Sequence, residues 1–325
     1  MIIDTHAHAL SQETLDEAQR QARQFPHVEI GQHDGSYRLA FAGHSPTRPV
    51  NPKLRNTAAR LDWMREARID LQLAGGWLDA FGYELDPEEG ADWSRFLNEH
   101  ALSTYANVEQ IVPLATVPLQ DGHLAAQVLR EAVAAGMPGA MIGTQPHGGH
   151  GNLDDENLDP FWEAAAELGA PIIIHPMFGS PDPRLQDFEM MNAVGRVSDV
   201  STAIARLLFT GHLVRYDGLV VVASTGGGAL PYMLGRLERN FKAFPGSVAD
   251  PVEGFSKLYF DSLVFQTDVL RFLVKKVGAG RIMLGSDYPF PIGDPLPRDV
   301  VETAELELGE VDSILGGLAG SLFRL

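Results

Sequence analysis

The chain has 325 residues, no cysteine and a formal net charge of −18. Disulfides, thiolate metal ligands and cysteine nucleophiles are thereby excluded, and so acidic a chain lacks the basic face that nucleic-acid binding requires. Its 45% hydrophobic content supplies a large core, yet no apolar run approaches the roughly 18 residues of a membrane span, so a cytoplasmic protein that engages neither membrane nor nucleic acid is expected.

The chain opens with MIIDT (residues 1–5), an apolar run of strand character, and no basic segment precedes its histidines, so no leader peptide is expected. Residues 10–52 then separate this strand from the first clear helical pattern. A structureless connection of about 40 residues is rare inside a compact domain. The segment therefore reads as an inserted cap with some structure of its own, including a short hairpin around residues 33–36 (HDGS). Beyond it, strand-like apolar runs alternate with helical patterns. A helix at 56–67 precedes a strand at 71–74 (LQLA), and a helix at 93–107 precedes a strand at 111–116 (IVPLAT). The Ala- and Leu-rich helix at 122–135 leads to a strand at 139–142 (GAMI), followed by a loop at 148–157 (GGHGNLDDEN) and a helix at 160–168. A strand at 171–175 (PIIIH), a helix at 187–208, a strand at 219–223 (LVVVA) and a helix at 230–241 come next. Strands at 258–261 (LYFD) and 282–285 (IMLG) complete the series. Eight short, continuous apolar strands interleaved with helices are the pattern of strands buried on both faces. The expected class is α/β, a single (β/α)8 TIM barrel over residues 1–325 with a small inserted cap at about 10–52.

That frame gives meaning to the histidines. In DTHAH, side-chain alternation puts Asp4, His6 and His8 on one face at the carboxyl end of the first strand, where barrel active sites are built. His175 closes the fifth strand and Asp287 follows the eighth, in IMLGSDYPFP. Taken singly, each has a plain structural use: a terminal pair of histidines arises by chance, His175 suits a satisfied core position, and Asp287 suits a helix N-cap. Taken together, His6, His8, His175 and Asp287 would meet at one rim and hold a divalent metal, zinc by preference and manganese as the second choice. Trp63, Trp77, Trp93 and Trp162 read as core or rim packing, and Trp77, just after the second strand, is also placed to wall an aromatic pocket. The GGG at 226–228 lacks the spacing of a dinucleotide fingerprint.

DTHAH, IIIHP, STGGGALPYMLGR and LGSDYPFP, together with PGAMIGTQ (138–145) and AAAELGAPIIIHP (164–176), resemble the amidohydrolase superfamily. More narrowly, they resemble the branch of aminocarboxymuconate-semialdehyde decarboxylase and related aromatic-acid decarboxylases, from residue 1 to about 320. The resemblance implies metal ligation by His6, His8, His175 and Asp287, with Asp287 also catalytic. It implies a homodimer in which Arg236 binds a substrate carboxylate across the subunit boundary, and a cap arginine, Arg38, with a similar task.

At one point the pattern breaks. The branch has histidine where this chain has Thr225, preceded by Ser224, and a hydroxyl is no general base near neutral pH. His33, His44, His147 and His150 are candidates to replace it. Three functions follow from the motifs: a metal-dependent carboxy-lyase acting on a small unsaturated or aromatic carboxylic acid, which is the favoured one; a metal-dependent hydrolase of a lactone, amide or ester, with Asp287 as base; or a non-catalytic binding homologue.

Overall fold

A computed structural model describes residues 1–33, 35–177, 179 and 182–325. In chain order the strands are β1 (Ile3–Ala9), β2 (Val28–His33), β3 (Ser36–Phe41), β4 (Leu71–Gly76), β5 (Ile111–Pro113), β6 (Ala140–Gly143), β7 (Ile172–His175), β8 (Val221–Ala223), β9 (Tyr259–Asp261) and β10 (Ile282–Met283). Apart from β2 and β3, these are the eight strands expected from the apolar runs.

All eight run parallel. β1, β4 and β5 form one hydrogen-bonded group, and β6 through β10 form another in sequence order. Two irregular seams join the groups into a ring. At one, the Ala115 amide donates to Gly139 O at 2.9 Å and the Met141 amide to Ala115 O at 3.0 Å. At the other, the Thr5 amide donates to Leu284 O at 2.8 Å, Asp287 to His6 O at 2.7 Å and His8 to Tyr288 O at 2.8 Å. The result is a closed (β/α)8 barrel whose strand ends are fixed on both sides of the join. Its interior is filled by side chains such as Met141, Ile173 and Val222, which share the face of His175 and are essentially inaccessible.

The helices sit close to their expected places, with two informative shifts. The helix expected from residue 93 begins a turn and a half earlier, as Pro87–Tyr105, because Asp86-Pro87 is a good start: proline's missing N–H costs nothing in the first turn. The helix expected from 187 begins at Arg196 (Arg196–Phe209), after a wider turn over Met191–Gly195.

Residues 10–52 carry a helix, Gln12–Arg20, whose N-cap Ser11 accepts the Thr14 amide at 3.0 Å. The antiparallel pair β2–β3 follows, with Val28 opposite Phe41. Its turn is where the hairpin was expected, although Asp34 lies outside the described residues. Leu15, Phe25, Leu39 and Phe41 bury against Trp77, Trp93 and Phe96, a core distinct from the barrel's own. No helix of the described residues is long and apolar enough to cross a membrane.

Candidate metal centre

β1 delivers His6 and His8 to the carboxyl rim, β7 ends on His175, and the turn after β10 carries Asp287. One ligand atom from each of the four lies within 4.8 Å of the others. Asp287 Oδ1 is 3.1 Å from His8 Nε2, 3.6 Å from His6 Nε2 and 3.9 Å from His175 Nε2. Donors held at metal-bond lengths of about 2 Å in a tetrahedron stand about 3.3 Å apart, so the spacing fits one ion.

The hydrogen bonds set which nitrogen faces inward. His6 Nδ1 donates to Asp261 Oδ2 at 2.6 Å, His8 Nδ1 to Gly76 O at 3.0 Å and His175 Nδ1 to Pro176 O at 2.9 Å. Each ring therefore carries its proton on Nδ1 and turns the Nε2 lone pair toward the centre. His6 Nε2, His8 Nε2 and Asp287 Oδ1 are buried without a hydrogen-bond partner. Buried polar atoms left this way are costly, and a divalent cation is what this donor set would satisfy. Burial holds His8 and His175 below the ordinary imidazole pKa, against the pull of Asp287, which keeps them neutral and able to ligate. For Asp287, burial raises the pKa, but the His175 and His8 rings beside it and the field of His6 and His8 outweigh it and hold the carboxyl well below its usual range. For His6, burial works against the charged ring, while the bond and charge of Asp261 carry its pKa upward.

Asp4 does not join the donors, although it shares a strand with two of them. It accepts Ser286 Oγ at 2.6 Å, the Ser286 amide at 3.0 Å and Gln72 Nε2 at 2.7 Å, tying β1 to β4 and to the Asp287 turn. Two residues farther down an extended strand is about 6.6 Å, and that distance places it beneath the cluster. Gly285 is obligatory in the same turn: a Cβ there would stand 2.9 Å from Asp261 Cβ and 3.0 Å from His6 Cβ.

Thr225 has φ of 52°, and its hydroxyl donates to Ser224 O at 2.7 Å. Its backbone keeps the turn into the helix Leu230–Ala243 even though the imidazole is missing. Among the described residues no other histidine joins the cluster: His44 and His150 are exposed, His147 is half-buried beside His150, and the side chain of His33 lies outside the described residues.

Arg236 is exposed on the helix Leu230–Ala243. The Arg38 guanidinium, on β3, donates to Thr47 O at 2.8 Å. Trp77 is buried, borders a small enclosed space with Leu10, Ser11 and Thr116, and has Arg48 Cζ 6.0 Å from its ring centre. The cap arginine that borders an open space near the cluster is Arg48. It holds Asp79 through two bonds of 3.0 Å and lines a groove of about 230 Å³ with Tyr83, Glu84 and Met177, two residues beyond His175. Arg196 is largely buried, and its charge acts on both Asp287 and His175. Three residues later, Asp199 accepts the Met177 amide at 3.1 Å, which fixes the first turn of that helix over the rim. Sequence reasoning missed Arg48, Arg196 and Asp261. Arg48 and Arg196 carry no local signal, whereas Asp261 ends its strand as His175 does, and the same strand-end argument would have found it.

A closed parallel barrel that gathers three imidazoles and a carboxylate at its carboxyl rim defines a metal-dependent barrel enzyme. The chain belongs to the amidohydrolase family, which it matches over residues 3–325. It is 31% identical to a 2-amino-3-carboxymuconate-6-semialdehyde decarboxylase of Dictyostelium discoideum, over 84% of this chain and 77% of that protein. Its fold is that of a 5-carboxyvanillate decarboxylase from Sphingomonas paucimobilis, with TM-score 0.80 and 24% identity, covering 100% and 99% of the two chains. A dihydroxybenzoic acid decarboxylase from a Polaromonas species, solved with bound manganese and 2-nitroresorcinol, superposes with TM-score 0.79 and 20% identity, covering 100% of this chain and 97% of that one.

Proposed function

We propose that this protein is a divalent-metal-dependent carboxy-lyase that removes CO2 from a small aromatic or unsaturated carboxylic acid. The observation that carries the reading is the convergence of three imidazoles and Asp287 on one point, with His6 Nε2, His8 Nε2 and Asp287 Oδ1 otherwise unmatched. Relatives that are decarboxylases across most of the chain support the reaction type. His6, His8, His175 and Asp287 would hold the ion. When bound, the ion supplies a Lewis acid that steadies an oxygen of the substrate and the negative charge that develops as the carboxylate leaves. Zinc suits the donor set; the manganese in the Polaromonas structure makes that metal the second choice.

The chain's own residues do the rest. Arg48, at the groove, and Arg196 present planar guanidiniums that bind and orient a carboxylate. Phe290, 5.2 Å from the His8 ring, would shield the reacting carbon from water, and Trp77 would wall the pocket from the cap side. As CO2 departs, the electron pair of the broken C–C bond stays on the substrate carbon and is quenched by a proton. The proton comes from solvent, so that a carboxylate and one proton become R–H and CO2: Asp287, ionised at rest, would take it from a water molecule and hand it to that carbon, and the hydroxide left behind is neutralised by the solvent. Arg236, exposed on its own subunit, would reach a substrate only across a homodimer boundary; light scattering tests that assembly. Arg38 would act from the cap only after releasing Thr47. A cytoplasmic place of action belongs to the same proposal and is checked by cell fractionation.

Purified protein loaded with zinc or manganese is expected to release CO2 from at least one member of a panel of hydroxybenzoic and muconic acids. His6→Ala or Asp287→Ala is expected to abolish the release. Activity that survives both substitutions, or a product heavier by one water, overturns the reading. The second outcome would favour a hydrolase, in which Asp287 takes the proton of an attacking water; the missing imidazole at Thr225 is what favours that alternative.

A further inference from the structure

Of the three imidazoles, two rest on backbone carbonyls and only His6 rests on a charge. Its partner, Asp261 at the end of β9, is 1% exposed. The carboxylate is fully used. Oδ2 accepts His6 Nδ1 at 2.6 Å and the Thr225 amide at 2.9 Å, while Oδ1 accepts the Gly226 amide at 2.7 Å and the Leu263 amide at 3.2 Å. Gly285, just after β10, which stands between β9 and β1 in the ring, has no side chain to hold Asp261 and His6 apart. A carboxylate is acceptor-only when ionised, so all four N–H groups must point at it and His6 has no choice of tautomer.

We propose that Asp261 is a positioning residue of the metal centre: it fixes His6 with Nε2 inward, strengthens that nitrogen as a donor, and links the Thr225–Gly226 turn to the ion through backbone amides. The turn that lacks the resembling branch's imidazole thus still acts on the site, through its peptide N–H groups rather than a side chain. The inference rests on reading the four donors as a metal site, and it adds a residue that none of the ligand motifs contains.

The test is metal affinity, measured apart from activity. Asp261→Asn keeps size and shape but puts an amide N–H or a weaker carbonyl against His6 Nδ1–H. Zinc affinity, from competition with a chromophoric chelator, is expected to fall about 10- to 100-fold, with circular dichroism unchanged. The absorption bands of the cobalt-loaded variant are expected to move, reporting a reoriented ligand. Affinity within threefold of the wild type together with an unchanged cobalt spectrum overturns the proposal. A second measurement needs no variant. In zinc-loaded protein with 15N-histidine, the His6 Nδ1–H proton should resonate farther downfield than those of His8 and His175, since it alone donates to a carboxylate. A His6 resonance level with the other two overturns the proposal even if Asp261→Asn fails to fold. Failure of the wild type to bind zinc or manganese at all overturns the metal reading itself, and is thereby distinguished from a wild type that binds while Asp261→Asn binds equally well.

Discussion

Thr225 occupies a left-handed backbone position, with φ of 52°, and three glycines with φ between 59° and 74° follow it. A β-branched side chain is strained there, at a cost of about 1–3 kcal/mol, and glycine avoids that strain while losing about 0.5–1 kcal/mol of backbone entropy. Thr225→Gly is therefore expected to raise stability by about 1 kcal/mol, read as a higher urea midpoint at constant slope; a lower midpoint would show that the side chain contributes more than it strains. At this scale the site was legible where chemistry coincides with a strand end. His6, His8, His175 and Asp287 all stand at such ends and all four converge. Arg60 shows the limit. It is fully buried, it donates to Gln72 and to His8 O, and its Cζ lies 4.7 Å from the Tyr288 ring centre. Nothing in the local sequence AARLDW distinguishes it from a solvated helix arginine, because its partners come from β1, β4 and the end of the chain.

At the scale of elements, hydrophobic runs located the barrel strands because both faces of each are covered, so length and composition suffice. Helix starts were harder, since they depend on capping and on wider turns such as Met191–Gly195. One short element makes a pH prediction. His212 opens the helix His212–Arg215, its Nδ1 is 2.7 Å from Thr210 Oγ1, and it is 2% exposed. Burial, and then the nearby Arg215 charge, lower its pKa to about 4 against the opposing pull of Asp159 and Asp154. The folded protein thus prefers the neutral ring. Its contribution to stability is complete above the unfolded-state pKa of about 6.5 and is lost as pH falls toward about 4. Between pH 7 and pH 4.5 the urea midpoint of the wild type should drop more than that of His212→Asn; equal drops would remove His212 as the cause.

For the whole molecule, the ion would join β1, β7 and the turn after β10, three places far apart in the chain. Ligand binding to the folded state alone stabilises it by about 2.7 kcal/mol at a concentration one hundred times Kd. Chelator is therefore expected to lower the thermal midpoint of the wild type and to leave that of His6→Ala nearly unmoved. A wild-type midpoint indifferent to chelator would argue that the donors hold no ion. The cap was foreseen as an insertion because a bare connection of that length is rare, but its separate core with Trp93 and Phe96 was not, since those contacts join residues on opposite sides of β4.

The seam between β1 and the turn after β10 has a consequence for how the molecule is made. A ribosome delivers His6 and His8 long before Asp287, so the amide links from Thr5 to Leu284 and from Asp287 to His6 cannot form until β10 and the turn after it have been made. Until then the nascent chain carries a first strand paired on one edge only, with β4, and two imidazoles awaiting their carboxylate. Capture of the cation is thereby postponed until β10 and its turn lock against β1.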